Sequence, residues 1–124
     1  MPTTLAAVDA FARSLPEVTL GTRWGNLTYL HGKDAFAWQR PFSKADLRRF
    51  GDEAPPAGDI VAVRVADLDA KDAVLGIAPP GFFTIPHFDG FAAVLIALRS
   101  ARVADVRAAL RDAHAAVGGR RRAR

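Results

Sequence analysis

Two residues apart within residues 80–91, His87 and Asp89 are the types that a general acid–base pair or two metal ligands would use. Either chemistry needs a third group, and His31 or His114 would have to be folded against them. The plainer account is local. His87 hydrogen-bonds the turn backbone, and Asp89 precedes Gly90 because Asp-Gly reverses a chain well. That account weighs more, since two residues without a third do not make a site. No HExxH spacing, P-loop, GxGxxG or GxSxG occurs, and the chain holds two Glu and no Cys. A thiol nucleophile, a disulfide and a thiolate metal centre are therefore excluded. The residues point to a protein that is not an enzyme, with no cofactor and no metal.

Two further constellations are suited to binding. Trp24, Tyr29 and Trp38 accompany Arg23, Arg40 and Arg64 on segments that read as strands, and aromatic–basic sheet surfaces stack bases and hold phosphates. Against this, strand parity puts Phe36 and Trp38 on one face, which favours a core role for both. Arg107, Arg111 and His114 form a second stripe, at helical spacing, that could track a phosphate backbone. A solvated helix face explains that stripe as well. Lys33, in a turn, completes the cationic set.

Charge has to be located before it is interpreted. The chain carries 17 basic and 13 acidic side chains in 124 residues. Arg120, Arg121, Arg122 and Arg124 supply four of the positive charges, so residues 1–119 are formally neutral. A basic tail at 120–124 binds phosphate without sequence preference, or simply keeps the chain soluble. Half the residues are apolar, which suits one folded domain over 1–119. The longest apolar run, residues 91–98, is too short to span a bilayer, and no secretory leader pattern opens the chain. A cytoplasmic protein is the expectation.

The elements that must position these residues follow from pattern. Thr3 or Thr4 caps a first helix whose Leu5, Val8, Phe11, Ala12 and Leu15 share a face, and Pro16 ends it. Strands are expected at 18–22, 27–31 and 35–40, with a bend at 23–26 and a hairpin turn at 31–34. Ser43 caps a short helix over 44–50, with Leu47 and Phe50 as its contacts. Residues 60–65 form a strand with Val61, Val63 and Val65 inward and Arg64 outward. Asp67 caps a helix closed by Gly76 and Pro79. Residues 82–98 read as two extended segments reversed at Asp89-Gly90. A last helix over 103–117 places Val103, Val106, Leu110, Ala113 and Val117 on one face, and Gly118-Gly119 ends it. This order implies an α+β fold: an antiparallel sheet of about five to six strands with the N- and C-terminal helices packed on one face.

Several stretches together resemble the MmcQ/YjbR family of small bacterial proteins. They are Ser14-Leu15-Pro16-Glu17-Val18, Gly21-Thr22-Arg23-Trp24-Gly25-Asn26, Lys33 with Phe36-Ala37, Val63-Arg64-Val65, and the run from Phe82 to Phe91. The resemblance implies a CyaY-like two-layer sandwich and the "double wing" label of a DNA-binding protein, with double-stranded DNA as partner. No catalytic residue comes with it. It leads to a non-enzymatic domain that binds DNA weakly and without sequence preference. The DNA-binding candidates are then Arg23, Lys33, Arg40, Arg64, Arg107, Arg111, His114 and the arginines of 120–124. The alternative is a small-ligand or protein-binding module using the cleft near Trp24, Trp38 and His87, with Asn26 and Asp89 as further candidates.

Overall fold

The Thr4 hydroxyl accepts the Ala7 N–H at 3.2 Å, so helix α1 (Leu5–Ser14) starts at its capping residue. Its apolar stripe buries Val8 and Ala12, and Leu5, Phe11 and Leu15 pack beside them. Strands β1 (Val18–Arg23), β2 (Asn26–His31) and β3 (Asp34–Gln39) follow. After them come α2 (Lys44–Phe50), β4 (Ile60–Arg64), α3 (Leu68–Ile77) and β5 (Phe82–Phe83), then a 3-10 turn at Pro86–Phe88, β6 (Ala93–Ala97) and α4 (Val103–Arg122). The computed structural model describes residues 3–23 and 25–122, with side chains up to residue 118.

The six strands form one antiparallel sheet in the order β1-β2-β3-β4-β6-β5. The α+β expectation holds, with α1 and α4 on one face. There Val106, Leu110, Ala113 and Val117 of α4 close over Tyr29, Phe36, Val61, Val63, Val94 and Ile96. Strands β4 and β6 are buried on both faces, which is why 93–97 is apolar without alternation. Their other face carries a second core of Ile60, Ala62, Leu95, Ile85 and Phe88, edged by Trp38, Phe42, Phe50 and Phe83. No helix among the described residues is long and apolar enough to cross a membrane.

Several expectations need correction. Strand parity fails in β3, because Tyr29 pairs with Ala37 while Leu30 pairs with Ala35, leaving Phe36 as the extra residue of a bulge. Phe36 and Ala37 therefore both enter the helix-side core, and Trp38 turns to the opposite face. Leu47 is exposed, and α2 is held by Phe50 alone of its two expected contacts. Gly76 lies inside α3, which ends at Ala78 in the left-handed region (φ 52°). The reversal at Gly90 occurs (φ 74°), but the segment before it is a 3-10 turn rather than a strand. Pro86 has no N–H to give a ladder, so the chain coils there. The last helix runs through Gly118-Gly119 to Arg122.

Candidate functional site

The bulge at Phe36 determines the site. With Trp38 opposite Thr28 on one side and Ala62 on the other, the indole lies on the sheet face away from α1 and α4. Phe88 and Phe91 stand against it, at ring-centroid distances of 6.5 and 6.2 Å. They meet each other edge to face at 5.4 Å. Phe42, packed on Phe50 at 5.2 Å, adds a fourth ring. These rings enclose a cleft of about 710 Å³ that also takes in Arg23, Arg40, Arg64 and His87. Among the described residues that line it, none is acidic.

Two of the three arginines are held in place from behind. Arg40 Nη1 lies 3.0 Å from Asp46 Oδ2, donates to the Pro41 carbonyl, and sits over the Phe88 ring at 5.6 Å. Arg64 Nε donates to the Ala92 carbonyl at 3.2 Å, and its guanidinium lies 5.1 Å from the Phe91 ring centre. Both are cation–π placements that keep a charged donor group beside an aromatic wall.

Asp46 belongs to the cap of α2. The Ser43 N–H donates to Asp46 Oδ2 at 2.9 Å, and the Asp46 N–H donates to Ser43 Oγ at 3.1 Å, a reciprocal capping box. Burial alone would push this carboxyl up. Hydrogen bonds to the carboxyl from the Ser43 backbone and side chain, with the charge and hydrogen bond of Arg40, together outweigh it and hold the carboxyl below its ordinary range. The helix cap and the cleft arginine therefore share one carboxylate.

Lys71 fixes the aromatic wall. Buried at 5 % exposure, it reaches from α3 to donate to the carbonyls of Phe88 (2.5 Å) and Phe91 (2.9 Å). Sequence reasoning missed Lys71, since a single lysine in an amphipathic helix gives no sign of what its end will meet. It also missed Asp46, although Ser43-x-x-Asp46 is a readable capping pattern.

The predicted site residues separate into groups. Arg23, Asn26, Trp38, Arg40, Arg64 and His87 come together in the cleft. Asp89 is exposed on the neighbouring turn and does not line it, and Lys33 is exposed at the β2–β3 turn. Arg107 and Arg111 lie over Phe11 of α1, at 5.4 and 5.6 Å, on the other side of the sheet. Trp24 and Arg124 lie outside the described residues, as do the side chains of Arg120, Arg121 and Arg122.

His114 is not part of an open cationic stripe. Its ring stacks on His31 at 3.8 Å, meets Phe36 edge-on at 5.4 Å, and donates from Nε2 to the Pro16 carbonyl at 2.7 Å. His31 in turn donates from Nδ1 to the His114 carbonyl at 3.0 Å, with Nε2 3.4 Å from Glu17 Oε2. The two histidines tie α4 to the sheet on the face opposite His87, so they do not complete a triad with it. Among the described residues no cluster of three metal-ligating side chains occurs.

No family model matches the chain, and no solved structure does. Curated relatives do match: uncharacterized protein Rv2570 and uncharacterized protein MT2646 of Mycobacterium tuberculosis, and uncharacterized protein Mb2600 of Mycobacterium bovis. Each is 38% identical over 112 residues, which cover 88% of this chain and 86% of the relative. At that identity and coverage, the chain belongs to the family of these mycobacterial proteins.

Proposed function

We propose that this protein is a non-enzymatic binding module that takes a small ligand in the cleft beside Trp38. The observation that carries this reading is the pairing of four aromatic rings with three arginines in a cleft of about 710 Å³ whose described lining has no acid. Cavities of some 300–1,000 Å³ with apolar walls and a few fixed polar groups are the usual form of small-molecule sites. A thermal-shift screen of anionic metabolites tests it. A ligand at a hundred times its Kd stabilises the folded chain by about 2.7 kcal/mol. The shift should persist when Arg120, Arg121, Arg122 and Arg124 are replaced by Gln, and disappear in the Arg23→Gln/Arg64→Gln double variant.

DNA binding of the MmcQ/YjbR kind is the second reading. It is favoured by one observation, that Arg23, Arg40 and Arg64 share the Trp38 face, as phosphate contacts beside a stacking platform would. A salt titration of duplex binding tests it. Affinity that falls steeply with salt and depends on Arg23 and Arg64 supports the reading, and no binding at low salt removes it.

A further inference from the structure

Taking the cleft reading as its base, we infer the chemical class of the occupant: a planar aromatic ring bearing a phosphate or a carboxylate. Three observations converge on it. First, Arg23, Arg40 and Arg64 line the cleft while no described lining residue is acidic, and the carboxylate that pairs with Arg40, Asp46, is buried behind it, so the lining favours an anionic group. Second, the guanidiniums are pre-set. Arg40 is braced by Asp46 and the Pro41 carbonyl, and Arg64 by the Ala92 carbonyl. A planar guanidinium fork matches the two oxygens of a carboxylate or phosphate, and bracing lowers the entropy lost on binding.

Third, the register places the ring surface between the charges. Trp38 stands opposite Ala62 in the β3–β4 pair. Arg64 is two residues past Ala62, and Arg40 is two residues past Trp38 in the antiparallel direction, so both return to the Trp38 face at opposite ends of it. A ring lying on the indole, against Phe88 and Phe91, would hold an attached anion within the span of these side chains. An anion without a ring would leave the aromatic wall uncovered, and a ring without an anion would bury against charged neighbours.

Calorimetric titration of the full chain with matched probes tests the inference. 1-Naphthyl phosphate and 1-naphthoate carry both features and distinguish the two anion sources. 1-Naphthol carries only the ring, and inorganic phosphate and acetate only the anion. One or both of the first two should bind at least about tenfold tighter than any of the others. Arg64→Gln and Trp38→Phe, each checked for an unchanged cooperative unfolding transition, should weaken that binding about fivefold or more, while Arg107→Gln on the opposite layer should leave it unchanged. If 1-naphthol or a bare anion binds as tightly as the combined probes, and still responds to the cleft variants, the class is wrong and the cleft reading stands. If no probe binds, or binding ignores every cleft variant, both are overturned.

Discussion

Two glycines illustrate how far a residue's meaning depends on what it faces. Gly76 lies within α3 with open space where a Cβ would go. Gly76→Ala should therefore raise stability by about 0.5–1 kcal/mol, the ordinary helix-propensity gain. Gly118 lies within α4, and a Cβ there would come 2.6 Å from His31 Cε1. That ring is held by its stack on His114 and its bond to the His114 carbonyl, so it cannot swing away. Gly118→Ala should cost about 1–3 kcal/mol despite the same propensity gain. Denaturant midpoints of the two variants, measured side by side, should move in opposite directions. Asp46 supplies the pH-dependent case. Its folded-state pKa lies below the unfolded value, so its contribution is fully present above the ordinary carboxylate range and is lost as pH falls through the folded value. Asp46→Asn should cost about 1–3 kcal/mol at neutral pH and make the acid limb of the stability profile shallower.

At the level of elements, legibility followed how local the deciding chemistry is. Thr4, Ser43 and Asp67 each cap the helix they precede, because a cap is a bond between a side chain and a backbone N–H three residues away. The spacing of Val106, Leu110, Ala113 and Val117 likewise showed which face of α4 is buried. The Phe36 bulge was not legible, since Ala35-Phe36-Ala37-Trp38 alternates smoothly and the extra residue exists only in the register with β2. Strand parity alone puts Trp38 in the core layer, whereas the alternative of a cleft near Trp38 and His87 agrees with where the structure places both residues. Gly118-Gly119 reads as a terminator for the same reason: the use of Gly118 is a close approach to a residue 87 positions earlier. Lys71 acts at longer range, its two bonds joining α3 to the carbonyls of Phe88 and Phe91. Those carbonyls keep backbone donors from Phe91 and Ala93, so Lys71→Met leaves neither bare. It should still cost about 1–3 kcal/mol, the value of hydrogen bonds from a charged group. Amide exchange at Phe88, Asp89 and Phe91 should quicken more than exchange in β6. Uniform quickening across the sheet would show that Lys71 supports the whole fold rather than this wall.

Across the whole molecule, the sheet divides the cations. Arg23, Arg40 and Arg64 open on one face, whereas Arg107 and Arg111 lie in the helical layer on the other. One straight duplex cannot run along both, so the cationic candidates do not form a single interface. The formal surplus of +4 equals the charge of Arg120, Arg121, Arg122 and Arg124. If the chain binds DNA as in the second reading, replacing those four by Gln should remove most of that non-specific affinity and flatten log K against log salt by up to about 3–4, at roughly 0.9 per lost phosphate contact. On the cleft reading, small-anion binding should not change, because Arg23, Arg40 and Arg64 hold the anion. The Arg23→Gln/Arg64→Gln variant should behave in the opposite way, losing the small anion and keeping whatever DNA affinity the tail supplies. Independent sites give additive effects, so the combined variant should show the sum of the two losses. If both activities fell together in either variant, cleft and tail would be one phosphate-binding surface, and the cleft would be better read as part of a nucleic-acid interface than as a pocket for a small molecule.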